Sequence, residues 1–305
     1  MSTAPRHALT VDVEDWYQVS AFEDVVDRER WEEYEDRVVA NTTRMLDQFA
    51  RHGVRATFFT LGWVAEKHPA LIARIANAGH EVASHGSVHR LVHSLDEASF
   101  REDLARARRA LEAAGLPTIR GFRAPSFSIT NDTPWAYDVL REEGYAYSSS
   151  VFPVKHDRYG IPDFPRGPVR VDDGDGRWIW ELPMTTWRVA GRNVPASGGG
   201  WLRLLPLGVM RAGLRQAEAE GRPGMLYLHP WEVDPDQPRL AEASRVARFR
   251  HTVNLKHTAG RLDKLLSSFA FGAVEDVIAG IEAGEFAGDI ATRTITAKGA
   301  ERAAR

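Results

Sequence analysis

The feature that most constrains the fold is a repeated alternation of short apolar runs with stretches of helical spacing. The apolar runs that predict buried strands cover residues 8–13, 54–61, 80–84, 118–122 and 225–229. Gly53, Gly79, Gly115 and Gly144 follow the predicted helices between them. This alternation is typical of a parallel α/β sheet, and the absence of a clean linker favours a barrel over two separate domains.

Polar side chains follow these runs where each strand is predicted to end. They are Asp12, Glu14 and Asp15 after the first run, His85 and His89 after the third, Arg123 after the fourth and His229 after the last. Ligands of parallel α/β folds bind at the carboxyl ends of the strands. We therefore expect these side chains to line one site.

The spacing of His85 and His89 is one helical turn, which would place both imidazoles on one face, close enough to share a metal ion. Such spacing alone is a weak filter, and two surface histidines are the alternative. The chain has no cysteine. Among divalent ions Zn²⁺ therefore fits best, and Co²⁺, Ni²⁺ or Fe²⁺ are compatible with the same donors.

The acidic cluster Asp12, Glu14 and Asp15 has two roles to fill at such a site. One carboxylate would ligate the metal, and another would act as general base for the attacking water. On a strand, Asp12 and Glu14 point to one face and Asp15 to the other. A solvated strand end is the alternative interpretation.

Arg123 and His229 would complete the chemistry. A guanidinium beside the carboxylate base would lower the pKa of that base and orient it. Main-chain N–H groups after Pro125 could face a developing oxyanion. His229, if free of the metal, could protonate a leaving amine. Taken singly, each is more typical of a surface turn or a packed core histidine.

Charge and composition exclude other classes of protein. The net charge of -3 gives no support to a nucleic-acid partner reached through bulk charge. Without cysteine there is no disulfide, thiol nucleophile or iron–sulfur cluster. No apolar run reaches the roughly 18 residues of a membrane helix, and the polar N-terminus has no signal-peptide core. We therefore expect a cytoplasmic chain without stable membrane insertion.

Four segments in this order resemble the polysaccharide deacetylases of the NodB-homology group, carbohydrate esterase family 4. They are Thr10–Trp16, Ser84–His89, Gly121–Ile129 and Leu226–Glu232. The chain looks closest to the branch found beside exosortase-type (XrtA-type) exopolysaccharide loci, and residues 198–206 and 248–271 resemble the DUF3473-like C-terminal region of that branch.

The resemblance implies a distorted (β/α) barrel with about seven repeats, fewer than the eight of a complete barrel. We expect a deacetylase barrel over residues 1–236, a packed C-terminal extension over 237–290 and a disordered tail over 291–305. The implied activity is metal-dependent hydrolysis of acetamido groups on an exopolysaccharide or its lipid-linked precursor.

The resemblance also implies residue roles. By position, Asp12 is the catalytic base, His85 and His89 are metal ligands, Arg123 orients the base and His229 is the general acid. The implied substrate-binding residues are Pro125, Ser126 and Trp231.

Three departures from the family pattern affect this carry-over. Val13 interrupts the usual pair of adjacent aspartates; we favour Glu14 as the metal carboxylate, with Asp15 second. Gly86 replaces the usual Ser or Thr after the first histidine, and Ser126 stands where many relatives have Tyr. The carboxylate partner of His229 is left open among Asp132, Asp138, Asp157 and Asp163.

Two other functions compete with this prediction. One is an allantoinase-like amidohydrolase of the same fold, which would keep the metal pair and act on a small molecule. The other is a carbohydrate-binding relative that has lost catalysis, favoured only by the interrupted aspartate pair.

Overall fold

The protein is described by a computed structural model that covers residues 6–156, 159–296 and 302–303. The strands are β1 His7–Val13, β2 Thr57–Thr60, β3 Glu81–Ser84, β4 Gly121–Phe122, β5 Tyr147–Ser148, β6 Val169–Asp172, β7 Trp178–Glu181, β8 Thr186–Val189, β9 Arg192–Pro195, β10 Gly224–Leu228, β11 Phe271–Gly272, β12 Ala291–Thr294 and β13 Arg302–Ala303. The α-helices are α1 Val38–His52, α2 Gly62–Lys67, α3 Pro69–Asn77, α4 Glu97–Ala113, α5 Trp135–Glu142, α6 Gly199–Leu204, α7 Leu207–Ala219, α8 Arg245–Thr252, α9 Leu255–Leu266 and α10 Val274–Glu282.

Strand β1 pairs with β2, β10 and β11, and all seven of its residues are buried. Its strand order is β10-β1-β2-β3-β4-β5-β7, all parallel, followed by β6, β12 and β13. The short strand β11 pairs with the first two residues of β1. Because parallel strands end at the same edge, the segments after β1, β3, β4 and β10 meet there.

Isolated contacts connect the segment after β7 with the segment after β9, and that segment with β10. The N–H of Ala196 donates to the oxygen of Thr185, and the N–H of Tyr227 donates to the oxygen of Ser197. A single bridge joins Gly198 to Tyr227. The predicted α/β fold with a parallel sheet is confirmed.

Two helix boundaries differ from the sequence prediction. The run Asn41-Thr42-Thr43 is typical of a helix N-cap, but helix α1 begins three residues earlier, at Val38, because the Asp15 carboxylate accepts the N–H groups of Arg37 and Val38. The sequence predicts one helix over residues 63–78, ended by Gly79, but the structure has two helices that meet at Pro69. Proline lacks an N–H donor and disfavours helical backbone in the residue before it.

Residues 153–195 are rich in Pro, Gly and Trp, a composition that predicts long irregular loops, but the structure has four strands there. β6 and β7 extend the main sheet, and β8 and β9 form a separate hairpin. Each strand has only four residues, too few for the alternation to stand out among the Pro, Gly and Trp residues around them.

The expectation of a disordered tail from residue 291 was wrong at its start. β12 pairs in parallel with β6, because the half-buried segment Ala291–Thr294 supplies two β-branched residues to an open sheet edge. Residues 297–301, 304 and 305 lie outside the described residues. Within the described ranges, no helix has the length and apolar character needed to cross a bilayer.

Candidate metal centre

Three side chains predicted as metal ligands converge at the carboxyl edge of the sheet. Glu14 follows β1, and His85 and His89 follow β3. Ligand atoms of the three residues all lie within 4.8 Å of one another, and all three residues are buried. The structure thus brings these three residues together.

The two histidines come together through a loop rather than the helical turn that their spacing indicated. Gly86 has a φ of +75° and His89 has a φ of +55°, so the chain turns through two left-handed residues. Asp103 on α4 holds this loop, accepting the Ser87 N–H at 3.0 Å and the Ser87 hydroxyl at 2.6 Å. We call the segment 85–89 the histidine loop.

The donor set fits a divalent cation. Nε2 of His89 and Oε2 of Glu14 are 2.9 Å apart, yet Glu14 Oε2 has no hydrogen bond of acceptable geometry. Both residues offer a ligand atom to the group that lies within 4.8 Å, so both can bind one cation. His85 donates its Nδ1–H to the main-chain oxygen of Arg123 at 2.8 Å, which leaves Nε2 as a free lone pair.

The protonation of these groups suits ligation. Burial raises the pKa of Glu14, but the nearby charges of His89 and His229 outweigh burial and bring it to about 2. Burial lowers the pKa of His85 to about 4, so this imidazole is neutral at pH 7. An ionised carboxylate and a neutral imidazole are the forms that bind metal ions.

Asp12 stands beside this group, fixed by Arg123. Nη1 of Arg123 donates to Asp12 Oδ1 at 2.6 Å and to the Thr10 hydroxyl at 2.8 Å. Ser149 accepts the remaining donors through its main-chain oxygen and hydroxyl, both at 3.0 Å. The guanidinium is fully buried and also lies 4.1 Å from the Phe59 ring centroid. One oxygen of Asp12 is thus held while Oδ2 faces the site.

His229 lies close to both carboxylates. Its Nε2 is 3.9 Å from Asp12 Oδ2 and 3.6 Å from Glu14 Oε1. Its partner is Glu232, whose Oε1 accepts Nδ1–H at 2.7 Å and the His229 main-chain N–H at 3.1 Å. Among the described residues, Glu232 fills this place instead of Asp132, Asp138 or Asp163, which were considered from the sequence, and Asp157 lies outside the described residues. His-Pro-Trp-Glu starts a short 3-10 turn that brings the side chain of Glu232 back onto His229.

Charges set the protonation state of His229. Burial lowers its pKa, but the Glu14 carboxylate and the hydrogen-bonded Glu232 carboxylate outweigh burial and raise the pKa to about 9. Glu232 is in turn held by Arg203, which donates Nε–H to Oε2 at 2.7 Å. At pH 7 His229 therefore carries a proton that it can donate.

Arg203 was not foreseen from the sequence. Its Nη1 donates to the main-chain oxygens of Arg250, His251 and Val253, where α8 ends. A buried arginine on α6 thus joins the end of α8 to the Glu232–His229 pair. No motif marks it, because its partners lie about 30 to 50 positions away in the chain.

The pocket above the site is lined by aromatic and polar side chains. Trp231 stacks between His229 and His251, at centroid distances of 5.0 and 4.1 Å, and its indole N–H lies 3.3 Å from Glu14 Oε1. Ser126 lines the pocket with a left-handed φ of +53°, and its hydroxyl lies 2.8 Å from that of Ser20.

Two predicted site residues lie elsewhere. Both carboxylate oxygens of Asp15 accept main-chain N–H groups, from Trp16 and from Arg37 and Val38, so Asp15 secures the start of α1 and is not in the ligand group. Pro125 is buried but is not among the pocket-lining residues. Position in the strand had already favoured Glu14 over Asp15.

The histidine loop gives a direct test of its glycine. A Cβ at Gly86 would lie 2.7 Å from Asp103 Oδ2, in addition to the strain of φ at +75°. We expect Gly86→Ala to destabilise the protein by more than the roughly 1 kcal/mol of a left-handed alanine and to weaken metal binding. Gly53→Ala is the matched control, because Gly53 has φ of +61° and nothing within 4 Å of its Cβ.

Thermal unfolding and metal titration of both variants measure this difference. Gly53→Ala should lose stability with unchanged metal affinity. Equal metal affinity in Gly86→Ala and Gly53→Ala would show that a Cβ close to Asp103 does not disturb the histidine loop, which would contradict this prediction.

Two family models match separate parts of the chain. Residues 26–148 match the family described as polysaccharide deacetylase, and residues 149–279 match a domain of unknown function, DUF3473. Over residues 26–148 the chain is therefore similar to polysaccharide deacetylases, and over residues 149–279 it is similar to proteins with a DUF3473 domain. His85, His89 and Arg123 fall in the first match and His229 in the second. The predicted boundary at residue 236 stays a prediction.

Among curated relatives, a peptidoglycan-N-acetylglucosamine deacetylase of Bacillus cereus is 33% identical over 96 residues, 31% of this chain and 35% of that protein. A chitooligosaccharide deacetylase of Sinorhizobium fredii is 34% identical over 111 residues, 36% of this chain and 49% of that protein. The chain thus spans half or less of the relatives' lengths.

Among solved structures, a candidate polysaccharide deacetylase from Mycobacterium smegmatis superposes with a TM-score of 0.64 at 20% identity. The superposition covers 96% of each chain. At this identity the likeness shows the fold, and it extends over both matched regions.

Proposed function

We propose that the chain is a metal-dependent N-deacetylase that hydrolyses acetamido groups of a saccharide. The observation that carries the proposal is the placement of one base and one acid beside the ligand group. Asp12 Oδ2 and His229 Nε2 are 3.9 Å apart, and Glu14, His85 and His89 lie beside them.

Glu14, His85 and His89 would hold the cation. A divalent ion bound there would lower the pKa of a water molecule and polarise the acetamide carbonyl. We favour Zn²⁺ on donor chemistry, since two imidazoles and a carboxylate with open positions are typical of catalytic zinc sites.

The other side chains would move and place protons. Asp12 accepts the proton of the attacking water through Oδ2, while Arg123 keeps Oδ1 in place. His229 then donates the proton on Nε2 to the leaving nitrogen, which departs as an amine. Glu232 keeps the Nδ1 proton of His229 in position, so that the proton transferred is the one on Nε2. The products are acetate and a free amino sugar.

Acetate release from N-acetylated oligosaccharides tests the proposal. We expect release by the metal-loaded protein, loss of release with a chelator, and recovery when Zn²⁺ or Co²⁺ is added back. Release that is insensitive to the chelator would remove the metal mechanism, and ureide hydrolysis without deacetylation would favour the allantoinase-like alternative.

Glu232→Gln tests the acid pair. The amide keeps a similar shape but removes the negative charge that raises the pKa of His229. Because the acid must be protonated, we expect kcat to fall about tenfold to a hundredfold and its alkaline decline to move to lower pH. A pH profile of kcat measures the shift, and an unmoved alkaline limb would contradict the assignment.

The finer predictions form part of the same proposal. An exopolysaccharide or its lipid-linked precursor as substrate, membership of the exosortase-locus branch and a cytoplasmic location stay predictions. Subcellular fractionation and assays on defined saccharides test them separately.

A further inference from the structure

A second pocket adjoins the candidate metal centre and differs from it in charge. Arg239, Arg245 and Arg248 line it, together with the apolar side chains of Phe22, Leu240 and Phe249. Its volume is about 250 Å³, and no carboxylate is among its lining residues. We call it the basic pocket.

The three arginines share one pocket in which no lining residue supplies a counter-charge. The net charge of the whole sequence is -3, yet this pocket gathers three positive charges. Arg55, Arg101 and Arg166, by contrast, are each paired with a carboxylate. Among the described residues, the side chains of Arg239, Arg245 and Arg248 form no ion pair or hydrogen bond.

The basic pocket is physically joined to the catalytic groups. His251 lines both pockets, and Phe22 of the basic pocket follows directly after Ala21 of the first. The main-chain oxygens at the end of α8 are held by Arg203, which also holds Glu232. A ligand in the basic pocket would therefore lie next to a saccharide at the metal centre.

The chemistry of the pocket favours a diphosphate. Guanidinium groups present forked N–H donors that match the oxygens of phosphate, and three of them balance the two to three negative charges of a diphosphate. We propose that the basic pocket binds the diphosphate of a glycosyl diphosphate whose acetamido group reaches the metal centre. This inference rests on the proposed function and names its substrate class.

Glycosyl diphosphates are carried either by a nucleotide or by a polyprenyl lipid. Val246 and Phe249 on α8 are 60% and 59% exposed, unusual for apolar side chains, and Phe249 lines the basic pocket itself. These two side chains would contact a lipid chain, whereas a nucleotide would not need them.

Binding measurements test the inference without requiring turnover. The probes are uridine-diphosphate N-acetylglucosamine, polyprenyl-diphosphate N-acetylglucosamine in detergent micelles, and neutral tri-N-acetylchitotriose, each titrated into Zn²⁺-loaded protein at constant ionic strength. The test variant carries Arg239→Gln, Arg245→Gln and Arg248→Gln. The matched control carries Arg109→Gln, Arg192→Gln and Arg215→Gln, which removes the same charge from exposed positions outside both pockets.

We expect the test variant to lose about tenfold to a hundredfold in affinity for the diphosphate probes, with neutral-saccharide binding unchanged. The control variant should bind all probes as the parent protein does. Equal loss in the control would assign the effect to bulk charge, and a diphosphate preference that survives in the test variant would assign it to the metal ion. Either result overturns the inference.

Two further comparisons separate the remaining questions. The double variant Val246→Ser, Phe249→Ser is titrated with the same probes. A loss of affinity confined to the lipid-linked probe would identify the lipid carrier, and unchanged affinity for that probe would identify the nucleotide carrier. Acetate release, assayed in parallel, tests the proposed function by itself. Arginine-dependent binding of the diphosphate probes without acetate release would contradict the deacetylase proposal, and the basic pocket would still be supported as a diphosphate site.

Discussion

Asp12→Asn is expected to abolish most turnover while leaving metal content intact. Removing a general base costs about 10²- to 10⁴-fold in rate, and an amide cannot accept the proton of water. Asp12 is not in the ligand group of Glu14, His85 and His89, so metal occupancy should stay at the parental level. Steady-state kinetics and metal analysis of the same preparation measure both effects.

The fold of this variant needs its own check, because Arg123 is buried and would lose its counter-charge. Breaking a buried pair by deleting one partner costs about 3–5 kcal/mol, but asparagine keeps an acceptor for Arg123. Thr10 and Ser149 also continue to accept from the guanidinium. Kinetics should be measured well below the unfolding temperature. Parallel loss of metal and activity would show that Asp12 is a ligand and not the base.

His89→Ala is expected to lower metal affinity by at least about a hundredfold, since it removes one of three protein ligands. Activity should fall with occupancy. Inductively coupled plasma analysis of purified protein and the visible spectrum of the Co²⁺-loaded form report the site directly.

His93→Ala provides the matched control. His93 lies four residues beyond His89, repeats the same spacing and is exposed. Its removal should change neither metal content nor activity. If His89→Ala retains full occupancy, or if His93→Ala loses it, the ligand set drawn from the geometry is incorrect.

The convergence of the site could be predicted from the sequence because it follows from strand polarity alone. Residues that come after parallel strands meet at one edge wherever the strands begin and end, so Asp12, His85, Arg123 and His229 could be grouped before their distances were known. The choice of Glu14 over Asp15 followed from the alternation of side chains along a strand.

Other features depend on contacts that carry no local pattern. Arg203 reaches its partners from far along the chain, and Asp103 on α4 holds the histidine loop through the N–H and hydroxyl of Ser87. Glu232 was visible three residues after His229, but its role depends on the turn that Pro230 begins. The short strands of residues 169–195 were hidden because four residues give too little periodicity.

The position of β1 has a consequence for how the chain folds. β1 precedes the other described strands in the chain, yet its Thr10 hydroxyl donates to the main-chain oxygen of Leu226, 216 positions later. Contacts of such high sequence separation slow folding, since a long loop must be closed before they stabilise anything. A nascent chain that has not yet emerged beyond α7 leaves one edge of β1 open, and open strand edges favour aggregation. Chaperone dependence during synthesis should therefore be higher for this chain than for a helical protein of the same length.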